Sequence, residues 1–131
     1  MEPEVHSPND VYLHLGTGPE VRLEPVTETF WTDIDDRSDL MSGRLVTGMS
    51  TAGDWSVWEM HPEGDEIIIV TAGSCRFHLD DGDNVTTAVV TAPEYVVVPK
   101  GTWHTMDEID PGHAVVITWG DGTTHRTREP D

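Results

Sequence analysis

The chain has 131 residues, enough for one domain whose core needs neither disulfides nor a structural metal. Its 36% hydrophobic and 24% charged content excludes a disordered chain, and no apolar run approaches the ~20 residues that span a bilayer. The 25 acidic residues against 7 basic ones give a formal net charge of -18, which repels phosphate backbones and anionic lipid and argues against nucleic acid and membrane surfaces as partners.

Such acidity fits either adaptation to high salt or an ordinary small acidic protein, and composition does not choose between them. Cys75 is the only cysteine, so no intrachain disulfide can form. The opening Met1-Glu2-Pro3-Glu4 lacks the basic and apolar regions of a signal peptide, and a cytoplasmic location is expected.

Residues 1–40 mix polar content with scattered apolar positions and read as an N-terminal arm that packs on the rest or on a partner. Within the arm, Phe30-Trp31 followed by Thr32-Asp33-Ile34-Asp35-Asp36-Arg37 predicts one short helix, with Thr29 or Thr32 near its start. Residues 41–131 predict short strands at 43–50, 54–61, 65–72, 74–80, 84–91, 94–99, 102–106 and 112–119. Turn signals separate them, among them Pro62-Glu63-Gly64-Asp65, Asp80-Asp81-Gly82-Asp83 and Asp110-Pro111-Gly112. The pattern is that of an all-β sandwich or barrel.

Two of these strands, Ile67-Ile68-Ile69-Val70 and Val96-Val97-Val98, are apolar on both faces, whereas a strand with one solvated face alternates. A cover over the outer face is therefore expected. The N-terminal segment, a second sheet or a partner subunit would supply it, and a homodimer is the expected assembly.

The informative stretch is Trp58-Glu59-Met60-His61-Pro62-Glu63-Gly64-Asp65-Glu66. Strand alternation points Glu59 and His61 one way and Trp58 and Met60 the other. A turn through Pro62 to Asp65 returns Glu66 near His61 on the next strand. Farther on, Pro99-Lys100-Gly101 is a turn that places His104 at the start of a strand. Convergence of these strands would gather Glu59, His61, Glu66 and His104.

Here the chain resembles the cupins. Their first motif has two histidines one residue apart, a glutamate four or five positions later, then glycine after six more; His61, Glu66 and Gly73 fit that spacing. Their second motif is Pro-x-Gly-x-x-His, matched by Pro99, Gly101 and His104. The run Trp-Glu-x-His-Pro-x-Gly-Asp-Glu is similar to a subgroup of small single-domain bacterial cupins. Three departures stand out: Glu59 replaces the first histidine, Pro93 an expected glycine, and Glu108 an expected asparagine.

The resemblance implies a double-stranded β-helix, a jelly-roll-like barrel with a short N-terminal segment. It also implies a divalent transition metal (Fe, Mn, Ni or Zn) on His61, Glu66, His104 and Glu59. The expected function is that of an enzyme on a small organic molecule, of oxygenase, isomerase or cyclase type. Glu59 is then either the fourth ligand or a catalytic general base. Two alternatives remain open: a non-catalytic cupin that binds a small molecule or metal, and a metal-free acid–base isomerase or cyclase.

Lesser candidates are Arg76 and His78, which share a strand face. That face reads either as inward and substrate-binding or as a polar outer surface. The tryptophans read as packing, and His125, in the tail, as a solvated histidine.

Overall fold

In chain order the elements are β1 (Val11–Leu15), β2 (Val21–Pro25), the short helix α1 (Phe30–Asp33), two 3-10 turns (Ile34–Asp36 and Ser38–Leu40), β3 (Arg44–Ser50) and β4 (Val57–Met60). There follow β5 (Glu66–Asp80), β6 (Val85–Thr91), β7 (Tyr95–Val98), β8 (Trp103–Thr118) and β9 (Thr124–Thr127). This computed structural model describes residues 2–129.

The two long strands, β5 and β8, decide the architecture. β5 pairs first with β7, through Ile67 opposite Val97, and then with β6, through Phe77 opposite Ala88. β8 follows β5 along both halves, and the register between them shifts from Val70 to Cys75. Bulges of this kind bend a strand and increase its twist. Gly73 sits in the irregular stretch at φ 77°, and a Cβ there would lie 2.5 Å from the Asp110 carbonyl oxygen. Only glycine fits that approach.

Each long strand thereby serves two layers. The first runs β2, β1, β3, the C-terminal half of β8, the N-terminal half of β5, then β7. The second runs β6, the C-terminal half of β5, the N-terminal half of β8, β4 and β9. Between them, Ile68, Val70, Val98 and Ala114 of the first layer meet Cys75, Phe77, Val90 and Met106 of the second. This is the all-β, jelly-roll-like barrel that the strand pattern and the cupin resemblance imply.

Three expectations change. Segments 65–72 and 74–80 are one strand, as are 102–106 and 112–119, because the bulged register carries the ladder through Gly73 and Asp110-Pro111-Gly112 without a turn. The arm contains two strands besides its helix. Tyr12 and His14 alternate with Val11, Leu13 and Leu15, and β1 adds to the edge of β3. The tail contains β9, which pairs with β4. Tyr12 also joins Phe30, Leu40 and Leu45 in a second buried cluster, which anchors the helix to the first layer.

Candidate metal centre

Local pairing brings the four side chains together. Glu59 on β4 stands directly opposite His104 on β8, so both project to one face. His61 follows the last residue of β4, and Glu66 is the first residue of β5. Two hydrogen bonds clip the intervening turns to each other: the Gly101 amide donates to the His61 carbonyl at 2.8 Å, and the Lys100 amide to Asp65 Oδ1 at 2.9 Å. Gly101 has φ 78°, the backbone that a Pro-x-Gly turn requires there.

One donor atom from each of Glu59, His61, Glu66 and His104 lies within 4.8 Å of the others. Glu66 reaches both histidines, with Oε2 at 2.8 Å from His61 Nε2 and Oε1 at 2.9 Å from His104 Nε2. Glu59 Oε1 is 2.9 Å from His61 Nε2 but 3.8 Å from His104 Nε2. The side chains of His104, Glu66 and His61 are 0%, 3% and 5% exposed, against 25% for Glu59. Glu59 is thus the member of the four that reaches solvent.

The outer ring nitrogens are committed elsewhere. The Thr123 hydroxyl donates to the Gly120 carbonyl at 2.8 Å, so its oxygen accepts from His61 Nδ1, also at 2.8 Å. His104 Nδ1 donates to the Thr102 carbonyl at 3.4 Å. In the neutral form that a metal ion requires, this aims the Nε2 lone pair of each ring inward. His61 Nε2, His104 Nε2 and Glu66 Oε1 are buried without a properly directed hydrogen bond. Lone pairs of nitrogen and carboxylate converging at under 3 Å repel one another unless a cation or a proton lies between them. Two imidazoles and two carboxylates form a donor set that suits a divalent transition ion.

Without such an ion, protons take its place. Burial alone would lower the His61 imidazole, but hydrogen bonding and charge from Glu59 and Glu66 outweigh it and raise it to about 9. Burial would raise Glu66, yet His104 and His61 hold it down at about 2. Glu59 is also held below the ordinary carboxylate range: burial and the Glu66 charge oppose ionisation, and His61 and His125 overcome them.

Three contributors lie outside the motifs. Thr118 on β8 donates its hydroxyl to Glu66 Oε2 at 2.5 Å. Thr123 fixes His61. His125 on β9, directly opposite Glu59, donates from Nε2 to Glu59 Oε2 at 2.8 Å. The available signal was Gly120-Asp121-Gly122, a turn after a long strand, followed by the β-forming residues Thr123 and Thr124.

Arg76 and His78 lie on the outer face of the second layer, away from the four donors. His78 pairs with Thr105, next to the inward His104, and bonds Asp107 at 2.8 Å. Trp58 and Trp103 flank the Arg126 guanidinium at 5.2 and 4.7 Å. Among the tryptophans, Trp55 approaches the site, its ring 6.0 Å from that of His104.

Comparisons with solved structures agree on the fold. Hydroquinone 1,2-dioxygenase in complex with Cd2+ and 4-hydroxybenzonitrile gives a TM-score of 0.50 at 16% identity, covering 57% of this chain and 56% of that one. Bacillus subtilis oxalate decarboxylase, studied for its Mn(II) centres, gives 0.51 at 17% identity over 64% of this chain and 23% of that one. The Lactobacillus farciminis oxalate decarboxylase formate complex gives 0.52 at 14% identity over 65% and 26%. The chain therefore spans about half of the dioxygenase chain and about a quarter of each decarboxylase chain. No curated protein matches it. No helix among the described residues is long and apolar enough to cross a membrane. The cupin domain family matches residues 49–127, from β3 into β9 and across all four donors, and the chain belongs to that family.

Proposed function

We propose that this cupin holds one divalent transition metal, Fe, Mn, Ni or Zn, and acts as an enzyme on a small organic molecule, of oxygenase, isomerase or cyclase type. The observation that carries the proposal is the set of buried, undirected donors, His61 Nε2, His104 Nε2 and Glu66 Oε1, facing one another. Cupin-fold proteins of similar shape were studied with Cd2+ or Mn(II), which supports the reading.

His61, Glu66 and His104 form the tight part of the site, and Glu59 is the fourth, exchangeable donor. A divalent ion bound there supplies Lewis acidity toward a substrate oxygen or, as iron, activation of dioxygen. The partial exposure of Glu59 and the hydrogen bond to its other oxygen support a role as the base that takes a proton from the substrate. The same Glu59–His125 pair favours a second reading, a metal-free acid–base isomerase or cyclase whose activity survives chelation. A small-molecule ligand, a homodimeric state, a cytoplasmic location and membership of the Trp-Glu-x-His-Pro-x-Gly-Asp-Glu subgroup belong to the same proposal.

Elemental analysis of the purified, tag-free protein beside a His61→Ala, His104→Ala double variant tests it. About one equivalent of a transition metal in the wild type, lost in the variant, is the expected result. A wild type that takes up no ion when incubated with each of them overturns the metal reading and leaves the acid–base one.

A further inference from the structure

β9 (Thr124–Thr127) is the end strand of the second layer, paired along one side with β4. All four of its residues are exposed, and none belongs to either apolar cluster of the described residues. Yet the segment from Gly122 to His125 lies over two of the four donors. Thr123 Oγ1 is 2.8 Å from His61 Nδ1, His125 Nε2 is 2.8 Å from Glu59 Oε2, and a Cβ on Gly122 would lie 3.0 Å from the Pro62 ring. With the segment in place, Glu59 alone of the four side chains is more than 5% exposed.

We propose that β9 is a strap over the candidate metal centre: it detaches from β4 while the rest of the barrel stays folded, and so admits a metal ion or a small substrate. The proposal rests on the metal reading above for what passes, but not for the motion itself.

What fastens the strap differs in kind from what holds the barrel. Besides its ladder with β4, two arginines reach back over the outer face of the second layer. Arg126 stacks over Trp58 and Trp103 and bonds Asp80 at 2.8 Å. Arg128, just beyond the strand, pairs with Asp107 at 2.7 Å, and its amide donates to the Ser56 carbonyl at 3.0 Å. A cleft of about 550 Å³ runs along these contacts, lined by both arginines, Trp58, His78, Thr105 and Asp107. Water therefore reaches the Arg126 anchor, whose side chain is 44% exposed. Hydrated ion pairs and cation–π contacts are weak beside the buried apolar contacts that hold Phe77 of β5 and Met106 of β8. A segment with few buried apolar contacts and an exposed ladder opens well below the cost of global unfolding. The Gly120-Asp121-Gly122 turn, which joins it to β8, supplies the hinge.

Closure and metal binding are coupled, because Thr123 and His125 hold the outer atoms of His61 and Glu59. An ion that fixes those two side chains favours the closed strap, and a detached strap loosens both donors at once.

Amide hydrogen exchange of the full chain, followed by NMR, tests the motion, and release of Zn2+ to excess chelator tests its role. In the metal-free protein the β9 amides are expected to exchange at least about 100-fold faster than those of Phe77 and Met106. Arg126→Ala touches none of the four donors. It should speed both β9 exchange and Zn2+ release roughly 10-fold and leave the β5 and β8 amides unchanged. Val57 and Thr127 stand opposite each other, and the adjacent bond from the Arg128 amide to Ser56 makes theirs a non-hydrogen-bonded pair, close enough for a disulfide. The double substitution Val57→Cys, Thr127→Cys should slow β9 exchange and Zn2+ release about 10-fold or more when oxidised, and reduction should restore both. β9 amides that exchange as slowly as those of Phe77 and Met106 overturn the strap. Zn2+ release unchanged by the closed disulfide overturns its role as the way in. A wild type that takes up no ion overturns the metal reading and that role with it; the β9 exchange rates, read without metal, stand apart from that failure.

Discussion

Glu59 divides its carboxylate between two histidines: Oε1 lies 2.9 Å from the buried Nε2 of His61, and Oε2 lies 2.8 Å from the half-exposed Nε2 of His125. The second bond orients the oxygen that faces the site. His125→Ala is expected to weaken metal affinity about 10-fold, in keeping with the loss of an orienting partner. His125→Gln, whose amide can still donate, should restore most of it. Titration calorimetry with Zn2+ or Mn2+ on metal-free protein reads the effect. Equal affinity in all three proteins would reduce His125 to a surface residue.

Glu66 and Glu59 are both carboxylates, but their positions imply different losses. Glu66 contacts both imidazoles and is 3% exposed, so Glu66→Ala removes a proposed ligand and leaves two buried rings without their partner. Retained metal should disappear, and the metal-free protein should lose about 3 kcal/mol in urea unfolding. Glu59→Ala removes the looser, 25% exposed member. It is expected to keep close to one equivalent of metal with affinity lowered roughly 10- to 100-fold. Elemental analysis after extended dialysis separates the two; indistinguishable losses would mean that Glu59 is bound as tightly as Glu66.

Which parts of this site were legible in the sequence follows from distance along the chain. His61 and Glu66 flank one turn, and Glu59 precedes His61 by one alternation, so local geometry placed them. His104 was reached through its Pro99-x-Gly101 turn and the cupin resemblance. Thr118, Thr123 and His125 depend on which strand lies beside which, and that is decided by β9 folding back onto β4. The Gly120-Asp121-Gly122 turn marks a strand after it but does not say which strand it joins. The same limit explains the broken strands: Gly73 and Asp110-Pro111-Gly112 read as turns, but each faces the other across the β5–β8 ladder, where a bulge satisfies both.

In the metal-free protein, stability should depend on pH from both sides. His61 is raised from 6.5 to about 9, so its contribution is complete below 6.5 and is lost as pH rises through 9. Glu66 is lowered from 4.5 to about 2, so its contribution is complete above 4.5 and is lost as pH falls through 2. Maximal thermal stability from this cluster therefore falls between pH 4.5 and 6.5. His61→Ala should remove the alkaline decline specifically, and NMR of the imidazole protons should show His61 titrating above the ordinary histidine range. An alkaline limb identical in wild type and His61→Ala would refute the assignment.

Gly73 and Gly101 both have positive φ, at 77° and 78°, yet substitution should not cost the same at the two. At Gly101 a Cβ meets nothing within 4 Å, so Gly101→Ala carries only the left-handed backbone cost, about 1–2 kcal/mol. The His61 carbonyl keeps its bond from the residue 101 amide, and metal binding should persist. At Gly73 a Cβ would lie 2.5 Å from the Asp110 carbonyl oxygen and 2.6 Å from that of Pro111, both backbone atoms that cannot swing aside. Gly73→Ala must therefore push β5 away from β8 at the bend that joins the two layers. Its cost is expected to exceed that of Gly101→Ala by at least about 2 kcal/mol, with soluble yield falling accordingly. Urea unfolding of the two variants side by side reads the difference, and equal midpoints would show that the β5–β8 crossing is looser than its geometry implies.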